Sequence, residues 1–256
     1  MIKFTILGCG SSMGVPRADG YWGKCDHKET KNYRTRCSAI IQTKERNILI
    51  DTSPDLRFQL IKNKIQNIDT VLYSHMHGDQ VHGINDLRIF ALKNSKKIPI
   101  YADKLTRKYL LKNFSYCFKN SKDYKAILSI NDIKKNYYLK TRKRKILIKS
   151  IPVKHGLINS QSFIINESCA YISDANKIFK NNLKHFTNLK FLVIDCLRIK
   201  KHPSHFCLEE VIKLTSLLKP KKTILTNMHS DLDYRYLTKI LPRNIIPAYD
   251  GISFNI

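Results

Sequence analysis

The sequence predicts an α/β protein in which two packed β-sheets carry helices on their outer faces. Short apolar strands come in runs with helical segments between and after them, whereas a single parallel sheet would need strict alternation. Several of these strands end directly in a histidine or an aspartate. No repeat and no linker-like composition divides the 256 residues, which predicts one domain over residues 1–256.

The first half of the chain contains a series of short predicted strands with two helices between them. The strands are Lys3–Leu7, Ala39–Gln42, Asn47–Asp51, Thr70–Tyr73 and Ile98–Tyr101. A loop of small residues, 8–14, follows the first strand, and the next two strands form a hairpin. One helix opens at Pro54, and another spans Gly83–Leu92 with Leu92 among its inward-facing residues.

The second half repeats this pattern of short strands that end in polar residues. The predicted strands are Ile146–Val153, Ala170–Ser173, Phe191–Ile194 and Thr223–Thr226. Helices are predicted over His205–Leu218 and Tyr234–Leu241, with Ser204 as the N-cap of the former and Pro220 as its end.

The range 112–145 differs in composition from the rest of the chain, because it is rich in lysine, asparagine and tyrosine and ends in the basic run 141–145. One interpretation is an insertion that covers the site or follows a phosphate backbone, with tyrosines as stacking surfaces. The other, which we favour, is a solvated basic hairpin with aromatic side chains packed beneath it. The tyrosines are Tyr116, Tyr124, Tyr137 and Tyr138.

The charge and the cysteine content of the chain indicate which partners it can bind and in which cell compartment it lies. The net charge of +26 would attract phosphate-rich partners, but lysines outnumber arginines 34 to 12, which A/T-rich codon usage alone can produce. Seven cysteines without paired spacing indicate reduced thiols. The apolar segment Phe4–Leu7 is too short for a signal sequence or a membrane span. We therefore expect a cytoplasmic protein without a membrane partner.

The strand Thr70–Tyr73 leads into the most informative segment of the chain, Ser74–Gly83. His75, His77 and Asp79 alternate there, so an extended loop would point all three side chains the same way. Imidazole nitrogens with a carboxylate oxygen suit zinc, manganese or iron(II) better than calcium or magnesium. The segment therefore predicts a transition-metal site.

Three later strand ends supply the remaining ligands that such a site needs. They are His155, Asp174 and His229. Each alone is weak evidence, since aspartates after strands are usually turn formers. Together they complete a first metal sphere of His75, His77, His155 and Asp174. A second ion would be held by Asp79 and His229, with Asp174 bridging.

This order of histidines and aspartates resembles that of the metallo-β-lactamase-fold hydrolases. Within them the chain is most similar to the PhnP-type phosphodiesterases, and also to the tRNA 3′-end processing nucleases. The segments that carry the resemblance are Gly8–Pro16, Arg36–Ser38, Gly83–Arg88 and His229–Tyr234. The resemblance implies a four-layer αββα sandwich and a hydrolase with two divalent metal ions, zinc or manganese. Relatives of this type often form homodimers.

Two departures from the family pattern bear on the metals. The family places a histidine directly after the aspartate as a ligand of the second ion, and this chain has Gln80 there. The second ion would then bind loosely or depend on His82. The PhnP-type proteins also carry a structural zinc near Cys25, for which the chain offers only Cys25, His27 and Cys37.

The remaining predicted site residues concern substrate. His205, at the expected start of a helix, matches a histidine that contacts the scissile phosphate in the resembling enzymes, and phosphate binds well at helix N-termini. Asp79 would orient a water activated by the metal ions, and His205 would protonate the leaving oxygen. Asn85 and Arg88 are candidates to hold the sugar or phosphate of the substrate.

Three hypotheses about function follow. The first is a phosphodiesterase acting on a small cyclic or nucleotide-like phosphate ester, of the phosphoribosyl cyclic phosphate type. The second is an RNA-processing nuclease of the tRNA 3′-end type, for which the range 112–145 would have to serve as the RNA-binding arm. The third is a protein that binds one metal ion without turnover, a hypothesis that Gln80 keeps open.

Overall fold

The computed structural model describes residues 2–140 and 145–256 and contains two seven-stranded mixed sheets. The first sheet has the order β14-β1-β2-β3-β4-β5-β6. Its strands are β1 Lys3–Gly8, β2 Ser38–Gln42, β3 Asn47–Ile50, β4 Thr70–Leu72, β5 Ile98–Ala102, β6 Leu128–Asp132 and β14 Ser253–Asn255. Strands β3 to β6 run parallel, and the strands from β14 to β3 pair antiparallel.

The second sheet has the order β13-β12-β11-β10-β9-β8-β7 and mirrors the first. Its strands are β7 Asn136–Lys140, β8 Lys145–His155, β9 Ile158–Ile165, β10 Cys169–Ile172, β11 Phe191–Asp195, β12 Lys222–Thr226 and β13 Ile245–Pro247. The strands from β10 to β13 are parallel, and those from β7 to β10 are antiparallel. The carboxyl ends of both parallel runs carry the predicted ligands.

Helices cover the outer faces of the two sheets. They are α1 Leu56–Lys62, α2 Gly78–Val81, α3 Arg88–Lys93, α4 Lys104–Asn113, α5 Ser115–Phe118, α6 Leu208–Leu218 and α7 Tyr234–Ile240, with 3-10 turns at Thr30–Asn32, Ile84–Leu87 and Lys180–Phe186. No helix in the described ranges is both long enough and apolar enough to cross a membrane.

Two hydrophobic cores hold these layers together. The larger lies between the sheets, where the Phe4 and Tyr171 rings meet at 5.7 Å between centroids. The smaller packs the outer face of the first sheet, including Leu7 and Leu49, under helical residues such as Leu56 and Leu87. Burial of such faces on both sides of each sheet is the main stabilising contribution. The predicted α/β class with its αββα sandwich is confirmed.

The start of α6 differs from the prediction. The helix begins at Leu208, with Cys207 rather than Ser204 as its N-cap, and the Glu210 carboxylate accepts a hydrogen bond from the Cys207 N–H at 3.0 Å. His205 therefore does not lie at a helix N-terminus. The segment before the helix is irregular and is anchored because Phe206 donates its N–H to the Ala175 carbonyl at 2.7 Å.

The segment Gly83–Leu92 is also less regular than predicted. It forms a 3-10 turn at Ile84–Leu87 and only then becomes α3. The tighter turn shifts the helical phase, so Leu92 is 52% exposed and Phe90 and Ala91 are buried in its place.

The range 112–145 contains the end of α4, then α5, and one edge strand of each sheet, β6 and β7. The Tyr137 ring lies 4.7 Å from that of Tyr101, whereas Tyr138 is 47% exposed. Residues 141–144, most of the predicted basic run, lie outside the described residues. Whether this range acts as an insertion in the single predicted domain stays a prediction.

Candidate active site

The loop after β4 is anchored by a buried carboxylate at the end of the neighbouring strand β3. Asp51, in the left-handed region at φ 61°, accepts a hydrogen bond from the Ser74 N–H at 2.7 Å. This bond fixes the chain direction immediately before His75 and His77. The prediction that the side chain of Asp79 alternates with those of His75 and His77 along an extended loop is wrong. Helix α2 begins at Gly78 and places Asp79 in its first turn.

Three histidines form a cluster next to this loop. The ring of His75 lies 4.5 Å from that of His77 and 5.0 Å from that of His155, and the Nε2 of His155 is 3.3 Å from the Nδ1 of His77. One nitrogen from each ring lies within 4.8 Å of the other two. Such convergence of imidazole nitrogens suits a zinc or manganese ion.

The hydrogen bonding of His75 shows that this cluster fits a metal ion. Its Nδ1 lies 3.0 Å from the Ser74 hydroxyl, whereas its Nε2 is buried without a hydrogen-bond partner. A buried polar atom without a partner costs free energy unless a ligand satisfies it. Burial lowers the pKa of His75 to about 3, so the ring is neutral and keeps a lone pair for an ion.

Asp174, directly after β10, lies beside the three histidines. A group of ligand atoms from His155, Asp174 and His205 lies within 4.8 Å of one another. Asn227 holds this carboxylate by donating from Nδ2 to Asp174 Oδ1 at 3.1 Å and to the Ser173 carbonyl at 2.8 Å. Asn227 has a φ of 59°, a conformation that asparagine tolerates better than most residues.

His205 is paired with a buried aspartate that was not among the predicted site residues. The Nδ1 of His205 lies 2.7 Å from Asp195 Oδ2, and Asp195 is fully buried at the end of β11. Burial alone would lower the pKa of His205, but the charge and hydrogen bond of Asp195 raise it to about 9. The ring is therefore a proton donor at neutral pH.

Gln80 links the two acidic residues of the site. It is fully buried, and its Nε2 donates to Asp79 Oδ2 at 2.9 Å and to Asp174 Oδ2 at 3.2 Å. Burial and the neighbouring charge of Asp174 raise the pKa of Asp79 to about 6.

The predicted ligand His229 lines the same cavity but joins neither ligand group found among the described residues. Its Nδ1 lies 3.2 Å from Asp231 Oδ1. The cavity has a volume of about 260 Å³. Its walls also contain residues that were not predicted: Ser11, Ser12, Met13, Leu197, Arg198, His202, Ser204 and Asn227.

Three predicted residues lie outside this cavity. His82 points to α4, where its Nε2 is 3.1 Å from the Tyr109 hydroxyl. Arg88 stacks over the Tyr124 ring at 4.2 Å, and with Asn85 it lines a separate cavity of about 530 Å³ near α1 and α3. The 3-10 turn between α2 and α3 carries Asn85 away from the histidines.

The structural zinc ligands considered from the sequence are also dispersed. Cys37 donates to the Gly10 carbonyl at 3.4 Å, and the His27 ring lies 6.5 Å from that of Trp22. The Sγ of Cys25 lies 4.0 Å from the guanidinium of the buried Arg34. A cation thus already lies beside this thiol, and no group of potential metal ligands forms around Cys25 in the described ranges.

One residue, Asp195, carried a signal that sequence analysis could have used. It directly ends a predicted strand, as His155 and Asp174 nearly do, and parallel strands bring their carboxyl ends together. The residues Ser11–Met13 had a weaker signal, their place in the loop of small residues. His202 had the signal of lying close to His205, which matched the resembling enzymes better, and Arg198 had none, because its position depends on the irregular segment before α6.

Two sheets that bring histidines and aspartates together at their carboxyl ends define a metal-dependent hydrolase domain of the metallo-β-lactamase fold. A family model confirms this class. Residues 46–228 match the model described as Beta-lactamase superfamily domain, and the chain belongs to that family.

Individual relatives agree with this assignment. The crystal structure of a diphosphatase from the PhnP family is similar over 100% of this chain and 98% of its own, with a TM-score of 0.88 and 28% identity. The short form of human tRNase Z has the same fold, with a TM-score of 0.72 and 16% identity over 99% of each chain. The predicted resemblance to these two groups is confirmed.

An octanoyltransferase of Porphyromonas gingivalis is 29% identical over 257 residues, which is 98% of this chain. The chain spans only about half, 51%, of that relative's length. The name of that longer protein therefore describes more than the part that matches this chain.

Proposed function

We propose that this chain is a metal-dependent phosphodiesterase that cleaves a small cyclic or nucleotide-like phosphate ester. The observation that carries the proposal is the placement of a three-histidine cluster, Asp174 and the Asp195–His205 pair around one cavity. The relative with 28% identity is a diphosphatase, which supports chemistry at phosphorus.

The residues His75, His77, His155 and Asp174 would hold a divalent ion, for which we propose zinc or manganese. When bound, such an ion supplies Lewis acidity toward phosphate oxygens and lowers the pKa of a water molecule. Arg198 and His202 also line the cavity, and the Nε of Arg198 is buried without a hydrogen-bond partner. This guanidinium would therefore donate hydrogen bonds to a phosphate oxygen.

Two side chains of the cavity move the protons. Water attacks phosphorus, and Asp79, whose pKa is raised to about 6 by burial and by Asp174, accepts the proton that the water loses. As the bond between phosphorus and the leaving oxygen breaks, His205 donates its proton to that oxygen. Asp195 holds the His205 ring in place and keeps it protonated until this step.

The size of the cavity supports a small substrate. A volume of about 260 Å³ is at the small end for ligand sites, so it suits a sugar phosphate or one nucleotide better than a long polymer. An RNA substrate of the tRNA 3′-end type is our second choice. It predicts RNA binding that falls steeply with salt, which a filter-binding titration measures.

A cytoplasmic location is part of the proposal and is supported by the cysteines. All seven are free and buried, as expected where thiols stay reduced. A homodimer stays a prediction, which sedimentation analysis would test.

The proposed activity is tested with protein that has been stripped of metal and reloaded with manganese or zinc. We expect hydrolysis of bis(p-nitrophenyl) phosphate only after reloading. The exposed His27 offers a matched control, because His27→Ala removes a histidine outside the site and should leave the rate unchanged. No hydrolysis of this or of any cyclic or nucleotide phosphodiester by the reloaded protein would contradict the proposal.

A further inference from the structure

The two sides of the cavity differ in how their polar groups are satisfied. On one side the buried Nε2 of His75 has no hydrogen-bond partner. On the other side Asp79 and Asp174 both accept hydrogen bonds from the Nε2 of Gln80, at 2.9 Å and 3.2 Å. In the resembling enzymes that second side holds a metal ion, and here it already contains a hydrogen-bond donor.

We propose that the side-chain amide of Gln80 replaces the second metal ion, so that the chain binds one ion, at the three-histidine cluster and Asp174. The inference rests on the proposed function in that it needs an ion at the three-histidine cluster. It replaces the prediction of two ions per chain.

The chemistry of the amide group supports this replacement. A buried carboxylate, Asp174, next to a half-buried one, Asp79, needs positive charge or hydrogen-bond donors between the two. The amide nitrogen of Gln80 carries two N–H groups, one for each carboxylate, and it has no available lone pair with which to bind a metal. The donor therefore satisfies Asp79 and Asp174 but leaves no ligand for an ion between them.

The reverse orientation of the amide is unfavourable without an ion. It would turn the Oε1 of Gln80 toward Asp79 Oδ2 and Asp174 Oδ2, which brings three acceptor oxygens together without a proton. In the observed orientation Oε1 is buried without a hydrogen-bond partner. The two charge-assisted hydrogen bonds from Nε2 offset that cost.

The remaining ligand predicted for a second ion, His229, does not converge with Asp79 in a ligand group among the described residues. The Nδ1 of His229 lies 3.2 Å from Asp231 Oδ1. Within the described ranges, the groups of three or more ligand atoms that lie close enough for one ion include neither Asp79 nor His229. The second position thus lacks a group of converging ligand atoms among the described residues, whereas the first has three converging imidazoles.

The inference is tested by counting ions. Purified protein is dialysed against manganese or zinc at micromolar concentrations, and the bound metal per chain is measured by mass spectrometry. We expect one ion for the natural chain and two for Gln80→His, whose imidazole supplies a lone pair. Electron paramagnetic resonance with manganese should then show an isolated ion in the natural chain and a coupled pair in the variant.

A surface control separates a specific site from nonspecific binding by an added imidazole. Gln66 is exposed, so Gln66→His should bind one ion, like the natural chain. Two ions of affinities within tenfold of each other in the natural chain would overturn the inference, whether or not the variant folds. A folded Gln80→His that binds only one ion would also overturn it.

Failure of this inference and failure of the proposed function give different results. If the function is wrong, the loaded protein hydrolyses no phosphodiester while the ion count is still one. If the inference is wrong, the ion count is two, whatever the rate.

Discussion

The imidazole side and the amide side of the cavity both draw on the loop after β4, yet they are built differently. The imidazole side consists of His75, His77 and His155, with ring centroids 4.5 to 5.1 Å apart. The amide side consists of Asp79 and Gln80, which hydrogen-bond to each other and to Asp174. The imidazole side leaves the Nε2 of His75 without a partner, whereas on the amide side both carboxylates accept hydrogen bonds and the Oε1 of Gln80 has no partner.

The difference shows how residues that bind a metal ion can be distinguished from polar residues that hydrogen-bond mainly to one another. Both sides contain residue types that bind metals, so composition alone does not separate them. A metal site keeps lone pairs free at the cost of unmade hydrogen bonds, because the ion will replace those bonds. A cluster whose carboxylates already accept hydrogen bonds from a donor between them gains less from an ion. The following predictions test this contrast, from the largest expected effect to the smallest.

Removal of one imidazole should have the largest effect. We expect His77→Ala to lose the bound ion and all measurable hydrolysis, since the cluster has only three converging imidazoles. The bound metal per chain and the rate are measured together. Retention of the ion with normal affinity would show that His77 is not a ligand. The imidazole side would then not be the metal site.

Removal of the proton donor should lower the rate without removing the ion. His205→Ala should reduce turnover by roughly 10²–10⁴-fold on substrates with poor leaving groups. The loss should be much smaller with p-nitrophenolate, which needs no proton to leave. Equal losses on both substrates would contradict the assignment of His205 as the acid.

The Asp195–His205 pair also predicts a pH dependence. The pKa of His205 is raised to about 9, so its proton is present throughout neutral pH and is lost as the pH rises through that value. The rate on a poor leaving group should fall on this alkaline limb. Asp195→Asn removes the charge that raises the pKa and should move the limb to lower pH. An unmoved limb would mean that another group titrates.

Asn227 joins the Asp174 and His205 parts of the site, and its loss should have a moderate effect. Asn227→Gly keeps the left-handed backbone but removes the amide that binds Asp174. We expect a 10- to 100-fold loss in metal affinity or rate, roughly the range for partners of metal ligands. Asn227→Ala should add about 1–2 kcal/mol of instability from the strained backbone. If the two variants were equally stable, the left-handed backbone at residue 227 would carry no strain in the alanine variant, which contradicts this prediction.

The smallest effect should come from an ion pair that supports the frame but neither side of the cavity. Arg36 donates to both carboxylate oxygens of Asp55. Burial alone would raise the pKa of Asp55, but the side-chain and backbone hydrogen bonds of Arg36 lower it. This contribution to stability is therefore present above the ordinary aspartate pKa and is lost as the pH falls through the lowered value.

Arg36→Met should reduce the free energy of unfolding at neutral pH by about 1–2 kcal/mol, the lower part of the range for hydrogen bonds to charged groups, because the pair is partly exposed. Thermal melting from pH 2 to pH 7 should show the difference from the natural chain shrinking as Asp55 becomes protonated. The ion count should stay at one. A constant difference across this range would show that the effect is packing rather than charge.

Much of this site was predictable from sequence because parallel strands impose a simple rule. Residues that follow strands running in one direction meet at one edge of a sheet, so the later strand ends His155 and Asp174 could be grouped with His75 and His77 before any contact was known. The two-sheet class followed from the order of apolar runs and helical segments. Asn85 and Arg88 line a different cavity, because a helical turn rather than a strand end positions them, and their role stays a prediction.

Tertiary structure alone decided how the polar atoms are satisfied. The sequence determined which ligand types are present, the αββα architecture and the substitution at Gln80. It did not determine that Gln80 donates to both carboxylates, that Asp195 holds His205, or that His82 turns to Tyr109. The physical reason is that strand ends follow from local pattern, whereas hydrogen-bond pairing depends on distances between residues far apart in the chain.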